Sequence, residues 1–493
     1  MTSRSVLVSG AGIAGLTAAT HLARSGLHVT VLEKHAEPGG RCARLVRDGH
    51  RFDIGPTLFV MPLLYEAEFR ALGARLGEQL ELRPVDPTYR LVFDDGGQLA
   101  LTSDMASMRQ QLEGMEHGSF DVFRRYVREG AGHYEVVVDG LVNHEFRRLT
   151  DLLSLRRVGL VRGLRSLANH YGHVAAQFKA PGLRCALTFQ DLYVGLSPFE
   201  APATLSFLPY TELTHGVWFP RGGMYSIIEA LVALAGEAGV DLRLGSEVTR
   251  IETDRDRARG VRLADGSHLV GDAVLANADL PWVYQHLLPA DGAADSLARR
   301  RFSSSTISFF WGLDRTYEEL GPHTLFLPDD YRATFDAITR DLVMPANPAV
   351  YVHAPTRLEP AMAPPGADSL TAIVPVAHMR DEGGEDWDAL RDVARHQVLR
   401  RLASLGIRDL ADHIKFEEAY TPITWADRHN LVKGATHGLS HRLTQMALFR
   451  PPNRHRRYRN LYFAGASTHP GTGLPTAMVS GRYAARRLAA ELL

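Results

Sequence analysis

The chain has 493 residues, 45% hydrophobic and 23% charged, which excludes disorder, a collagen-like repeat or a coiled coil as its main description. Its 55 basic and 56 acidic residues leave a formal net charge of −1, so no global electrostatic case for nucleic-acid binding exists. Cys42 and Cys185 are the only cysteines, which excludes a disulfide scaffold and a cysteine-based zinc site and fits a reducing, cytoplasmic setting.

The N-terminus shows no signal peptide: its apolar run is interrupted by glycines and leads into a motif. Ser5–Ser9 reads as a short buried strand, Leu16 to Ser25 as a helix stopped by Gly26, and Leu27–Leu32 as a second strand ending at Glu33. Between the first strand and the helix stands Gly10-Ala11-Gly12-Ile13-Ala14-Gly15. In such a unit Gly10 permits the tight turn, Gly12 lets a pyrophosphate approach the backbone, and Gly15 lets helix and strand pack closely. The helix N-terminus offers N–H groups and a positive dipole end to phosphates, with Ile13 and Ala14 also placed at the cofactor. Glu33, followed by Lys34, is placed to accept hydrogen bonds from ribose hydroxyls. Dinucleotide binding is the reading of this βαβ unit, because strand, helix, second strand and acid all fall where the motif needs them.

Gly39-Gly40-Arg41 follows, a glycine pair that brings backbone close to a ligand and a cation near phosphate. Next comes Phe52-Asp53-Ile54-Gly55-Pro56-Thr57. With these motifs the chain resembles the flavin-dependent amine oxidase and carotenoid desaturase superfamily. The resemblance implies FAD rather than NAD, with Gly40 and Arg41 near phosphate and Gly55, Pro56 and Thr57 near the isoalloxazine ring.

Further along, Thr88–Phe93 and Gln98–Leu101 read as a hairpin about Asp94-Asp95-Gly96-Gly97. Residues 103–184 are mostly helical in pattern, and 224–238 show helical spacing closed by Gly239. Val240–Leu244, Glu247–Thr253, Val261–Leu263, His268–Val270 and Asp272–Ala276 read as strands. From about 300 to 415 strand-like runs such as Ile307–Trp311 and Leu370–Val374 alternate with helices. Asn460–Ala464 is a last strand and Pro475–Leu493 a last helix. This order predicts an α/β protein: a Rossmann-like FAD-binding domain assembled from 1–100, 225–300 and 415–493. An interleaved α+β substrate-binding domain from 101–224 and 301–414 would carry a helical, membrane-facing cap near 105–185. The resemblance suggests the same arrangement and places Val248 at the adenine end.

The C-terminal segment 460–482 puts Gly465 and Ala466 after a strand and Gly473-Leu474-Pro475 at the start of a helix. Proline suits a first helical turn because it has no N–H to satisfy there. This helix would aim its positive end at the flavin N1 and O2 region. The run Gly465 to Gly471 with Gly473-Leu474-Pro475 is similar to the C-terminal block of bacterial phytoene desaturases and related carotenoid desaturases. Leu196 to Pro202, Gly216 to Met224 and His353-Ala354-Pro355 resemble other parts of that family, so the likeness spans nearly the whole chain. It implies an FAD-dependent enzyme that introduces double bonds into a C40 carotenoid, phytoene foremost, by hydride transfer to flavin N5. Oxygen or a quinone would be the electron acceptor. A related enzyme acting on a hydroxylated or more unsaturated carotenoid, a soluble amine oxidase on the same fold, and a non-catalytic prenyl-lipid carrier are the other readings.

Neither a catalytic triad nor a metal-ligand spacing stands out among the 22 histidines, so no metal is expected. Glu212, Tyr210 and Arg221 in the central matching region, and His469 in the C-terminal block, are the candidates for catalytic roles. A lipid-dissolved substrate requires contact with a membrane, yet no run of about 18 apolar residues is present. The window Phe146–Arg184 interleaves Arg147, Arg148, Arg156, Arg157, Arg162, Arg165 and Lys179 with leucines and holds one acid, Asp151. Such a segment suits an anionic bilayer surface, and predicts peripheral attachment to the inner face of the cell membrane.

Overall fold

Ser5–Ser9 and His28–Leu32 are runs of apolar and β-branched residues buried on both faces, as a parallel sheet covered on both sides requires. They pair in parallel with Val6 opposite Val29 and Val8 opposite Val31. Strands from far along the chain complete the sheet. Ala273–Ala276 lies on the other side of the first strand, Leu461–Phe463 beyond it, and Asp241–Arg243 beyond the second, all parallel. This structure, a computed structural model, describes residues 4–145, 169–290 and 292–493.

Alternation along the strands divides the sheet's two faces. Val6, Val8, Val29 and Val31 pack in one core with the helices Ile13–Arg24, Ser226–Glu237 and Leu474–Leu492. Leu7, Leu32, Val274 and Ala276 pack on the other side against a three-stranded antiparallel sheet of Val248–Asp254, Arg257–Leu263 and His268–Val270. The first helix starts three residues earlier than its apolar spacing predicts, because Gly12 takes the cap position and Ile13 and Ala14 enter the first turn. The C-terminal helix lies against it so closely that a Cβ on Gly481 would stand 2.3 Å from the Ala14 carbonyl oxygen.

A second, seven-stranded sheet runs in the order Ile414–Tyr420, Ser305–Leu313, Asp368–Val376, Val350–His353, His323–Leu327, Tyr89–Phe93 and Gln98–Leu101. Every neighbouring pair is antiparallel except His323–Leu327 with Tyr89–Phe93. Its back is covered by the helix Trp387–Ser404 over Ile307, Phe309, Trp311, Leu370, Ala372 and Val374. The helices Met105–Met115 and Ser119–Tyr134 pack on the hairpin end.

Two pieces expected in the cofactor-binding region pair elsewhere. The hairpin Tyr89–Phe93 with Gln98–Leu101 and the strand Ile414–Tyr420 both belong to this second sheet. Alternating apolar and polar residues mark a half-buried strand without marking which sheet it joins. Among the described residues no helix is long and apolar enough to cross a membrane. Of the basic window, Arg147, Arg148, Arg156, Arg157, Arg162 and Arg165 lie outside the described residues.

Candidate cofactor and substrate site

A cavity of about 510 Å³ opens at the carboxyl ends of the parallel strands, where Ser9, Leu32 and Asn277 line it, and continues to the second sheet. Such a crevice is where open α/β sheets bind ligands. Gly10 turns the chain at φ +102°, donating its N–H to the Leu32 carbonyl at 2.7 Å. A Cβ on Gly10 would stand 2.6 Å from the Asn277 carbonyl oxygen, and one on Gly12 would stand 2.9 Å from Asn277 Oδ1. Ile13 and Ala14 open the helix and line the cavity; first-turn N–H groups have no intrahelical acceptor and carry the positive end of the dipole. Gly15 does not line the cavity. A Cβ there would stand 2.2 Å from the Gly10 carbonyl oxygen, so its glycine serves the packing of turn on helix.

Glu33 is 5% exposed and lines the same space. Its Oε2 accepts the Ala11 N–H at 2.8 Å and its Oε1 the His35 N–H at 3.0 Å. A carboxylate keeps further lone pairs for ligand hydroxyls after two such bonds. Lys34, Val248 and Glu247 complete this end, with Lys34 Nζ donating to Asn430 Oδ1 at 2.8 Å. Arg41 lines the cavity nearby and donates Nη1–H to the Thr436 carbonyl at 2.8 Å. Desolvation lowers its pKa and the carboxylate of Asp279 opposes that shift, so the site holds a half-buried cation suited to an anionic ligand. The Arg41 carbonyl fixes Gly55, where a Cβ would stand 1.9 Å from that oxygen. Gly40, Gly55, Pro56 and Thr57 all line the cavity.

At the other end the helix Leu474–Leu492 begins at the cavity, with Gly473 at φ +114° as its cap and Pro475 in its first turn. Gly465 and Ala466 line the same region. Two helix N-termini, at Ile13 and Leu474, therefore face one space. Beyond them the wall is the second sheet. Ser308, Ile373, Tyr351 and Leu325 stand in register across four strands and all line the cavity. Met61, Phe189, Leu192, Phe207 and Leu208 also line it. The polar groups here are few. Tyr351 OH bonds Thr57 Oγ1 at 2.7 Å and His323 Nδ1 at 2.7 Å, and burial holds His323 well below the usual imidazole range.

Comparison with known proteins agrees with this geometry. Residues 13–489 match the family described as flavin containing amine oxidoreductase. A zeta-carotene-forming phytoene desaturase of Myxococcus xanthus is 42% identical over 98% of this chain and 94% of its own. A phytoene desaturase of Fusarium fujikuroi is 39% identical over 98% and 89%. This chain belongs to the flavin-containing amine oxidoreductase family, in its carotenoid desaturase branch. The fold of the family is seen in putrescine oxidase bound to putrescine, at a TM-score of 0.64, 16% identity and 99% of both chains.

The cofactor of this flavin oxidoreductase is FAD, and the cavity fits it. The space over Gly12 and the first helix turn accepts a pyrophosphate, and the half-buried guanidinium of Arg41 supplies the countercharge. Two acceptor sites remain on Glu33, and a second helix N-terminus stands at Leu474.

The candidates for catalytic roles fall in different places. Arg221 has a side chain 64% exposed, pairs with Glu81 on the surface at 3.0 Å and does not line the cavity. Tyr210 is half-buried against Tyr134 and His215, away from the cavity. His469 donates Nε2–H to the His144 carbonyl at 2.7 Å and stacks on Tyr483, a tie between segments. Glu212 also stands outside the cavity wall, but Tyr193, which does line it, donates its hydroxyl hydrogen to Glu212 Oε1 at 2.7 Å. Burial pushes the Glu212 carboxyl up to about 7, against the opposing bonds from Tyr193 and Gln190. Among the described residues no group of three or more His, Cys, Asp or Glu is placed to hold a metal.

Sequence motifs did not single out Asn277, Thr436, Tyr89, Tyr193 or Tyr351. Asn277 marks only the end of a short strand in the sequence, and Thr436 meets Arg41 across 395 positions. No local spacing could have found either.

Proposed function

We propose that this enzyme is a carotenoid desaturase whose substrate is a C40 precursor, phytoene. The observation that carries the reading is the continuity of one cavity from a dinucleotide cradle to a wall of Ile373, Leu325, Phe189, Leu192 and Phe207. A hydrocarbon chain without polar groups is matched by such a wall, whereas an amine would need an anionic or aromatic cage. That the two relatives are phytoene desaturases supports phytoene as the substrate.

In this reading the protein's part is to bind, orient and exclude water. Glu33 holds the ribose, the Val248 backbone supports the adenine end, and the first helix turn with Arg41 neutralises the pyrophosphate. Gly55, Pro56, Thr57 and the start of the C-terminal helix bound the flavin ring. When bound, FAD supplies the two-electron acceptor. The apolar residues facing it align the chain so that neighbouring saturated carbons reach the acceptor in turn, with water kept out.

The cofactor-binding domain is built on the five-stranded sheet and drawn from separate stretches of chain. The substrate-binding domain is built on the seven-stranded sheet, with a membrane-facing cap drawn from the stretch 105–185. The enzyme attaches peripherally to the inner face of the cell membrane, and oxygen or a membrane quinone reoxidises the cofactor. Purified yellow protein incubated with phytoene-loaded liposomes is expected to produce coloured polyenes, read as visible absorption. Absence of a coloured product from phytoene, with turnover of another carotenoid, would reassign the substrate; turnover of amines alone would overturn the reading.

A further inference from the structure

Tyr193, Tyr89 and Glu212 form a polar line that starts in the wall of the cavity and ends in a buried carboxyl group. Tyr89 stands on the strand Tyr89–Phe93 and Tyr193 on the turn Phe189–Val194; both line the cavity. Their hydroxyls are hydrogen-bonded to each other. Tyr193 OH donates onward to Glu212 Oε1 at 2.7 Å, and Glu212 Oε2 accepts from Gln190 Nε2 at 3.1 Å. Glu212 lies on the helix Phe207–Thr214 and is 6% exposed.

We infer that this line is the proton exit of the desaturation reaction, with the tyrosine pair receiving the proton from substrate and Glu212 holding it. The inference rests on the desaturase reading above. Desaturation takes two hydrogens from adjacent carbons. One C–H bond breaks with its electron pair, leaving as hydride to oxidised FAD. On the neighbouring carbon the C–H electrons become the new π bond, and that hydrogen leaves as a proton. A phenol oxygen in the wall accepts it while the Tyr193 O–H proton moves to Glu212. A carbon next to an allylic cation is acidic enough for so weak an acceptor.

The carboxyl's surroundings suit the role. The groups that act on Glu212 are Tyr193 and Gln190, and it acts in turn on Tyr89 and on Tyr126 of the helix Ser119–Tyr134. Desolvation raises its pKa to about 7, so near neutral pH it takes a proton and gives it up with equal ease. Glu212 never touches substrate. It is a positioning residue behind the tyrosines, outside the cavity wall.

The test uses the FAD-loaded enzyme with phytoene-loaded liposomes. Wild-type turnover is expected to rise with pH through a midpoint near 7. Glu212→Gln and Tyr193→Phe are each expected to lower turnover at pH 8 about 100-fold or more, to lose that acid limb, and to keep FAD content and KM. Infrared spectra provide a readout independent of turnover. A buried carboxylic acid band should disappear in wild type as pH rises through about 7 and be absent from Glu212→Gln. In Tyr193→Phe that band should titrate at higher pH, because the hydroxyl that favours the charged form is gone. Wild-type turnover alongside a fully active Glu212→Gln enzyme with an unchanged pH profile would overturn the exit alone. A wild type that turns over no carotenoid overturns the desaturase reading and the exit with it.

Discussion

Asn277 Oδ1 accepts the N–H of Gly15 at 2.9 Å, across 262 positions of chain. The same side chain donates Nδ2–H to the Ala464 carbonyl at 2.9 Å. One amide thus ties the first helix turn to the ends of two other parallel strands, and it does so beneath the pyrophosphate cradle. Asn277→Ala leaves both partners without their bond. Each such loss costs about 1–3 kcal/mol, so thermal unfolding should show a loss of about 2–6 kcal/mol together with released flavin. A variant that melts like wild type and keeps its flavin would show that the tie carries no weight.

Gly12→Val is expected to yield colourless protein. Its side chain would enter the phosphate space and also meet Asn277 Oδ1, which a Cβ already approaches to 2.9 Å. Gly55→Ala should act by another route, its Cβ forcing away the Arg41 carbonyl that it would meet at 1.9 Å and moving the Arg41 cation with it. Flavin absorbance per mole of purified protein measures both. If Gly12→Val purifies yellow, the cradle is elsewhere.

These contacts mark what a single sequence shows and hides. Gly10 to Gly15, Glu33 and Gly473-Leu474-Pro475 were legible because each is a local device: a turn, a strand end, a helix cap. All of them line the cavity except Ala11 and Gly15, the latter a glycine that serves close packing. Asn277, Thr436 and the tyrosine pair were not, because their partners come from distant stretches of the chain. Tyr89–Phe93 was legible as a strand but not as a member of the seven-stranded sheet, since its parallel partner His323–Leu327 is more than 200 residues away. Glu212 was visible as a candidate, yet its link to the cavity passes through Tyr193 on a separate turn.

His353 and His323 stack face to face with centroids 4.6 Å apart, both buried. His353 donates Nδ1–H to the Pro322 carbonyl at 2.9 Å, and burial lowers its pKa from 6.5 to about 4. The unfolded chain therefore binds a proton that the folded chain refuses between those values. Folding stability is full above pH 6.5 and falls as pH drops towards 4, by about 3 kcal/mol from this group. Denaturant unfolding at pH 7, 5.5 and 4.5 should show the decline, and His353→Gln should flatten it by about one proton. Equal slopes for variant and wild type would remove His353 from the acid response.

Arg41 holds a positive charge in a half-buried place, bonded to the Thr436 carbonyl at 2.8 Å. An anion bound beside it returns what desolvation took, so flavin-free protein should be stabilised by ADP or pyrophosphate as well as by FAD, in proportion to the logarithm of ligand concentration. Arg41→Met should remove a charge that is costly to bury and so raise the melting temperature of the flavin-free protein slightly. It should also abolish stabilisation by pyrophosphate and weaken FAD by at least 10-fold, read by fluorescence titration. Persistence of the pyrophosphate effect in Arg41→Met would assign the countercharge to another residue.

The basic window supplies the remaining prediction, and it concerns charge alone. Arg156, Arg157 and Arg162 stand among leucines in a stretch where Asp151 is the one acid. Near an anionic bilayer each basic side chain contributes about 1 kcal/mol, an attraction confined to about a Debye length. Reversing all three to Glu removes about 3 kcal/mol and adds repulsion, so cosedimentation with anionic vesicles at low salt should weaken by about 100-fold or more. Turnover of phytoene delivered in liposomes should fall with it, while flavin content stays unchanged because the cofactor cradle is built from other segments. High salt should erase the difference between the two proteins by weakening wild type. Unchanged sedimentation of the triple variant at low salt would take this window out of the membrane contact, leaving substrate access to be explained by another face.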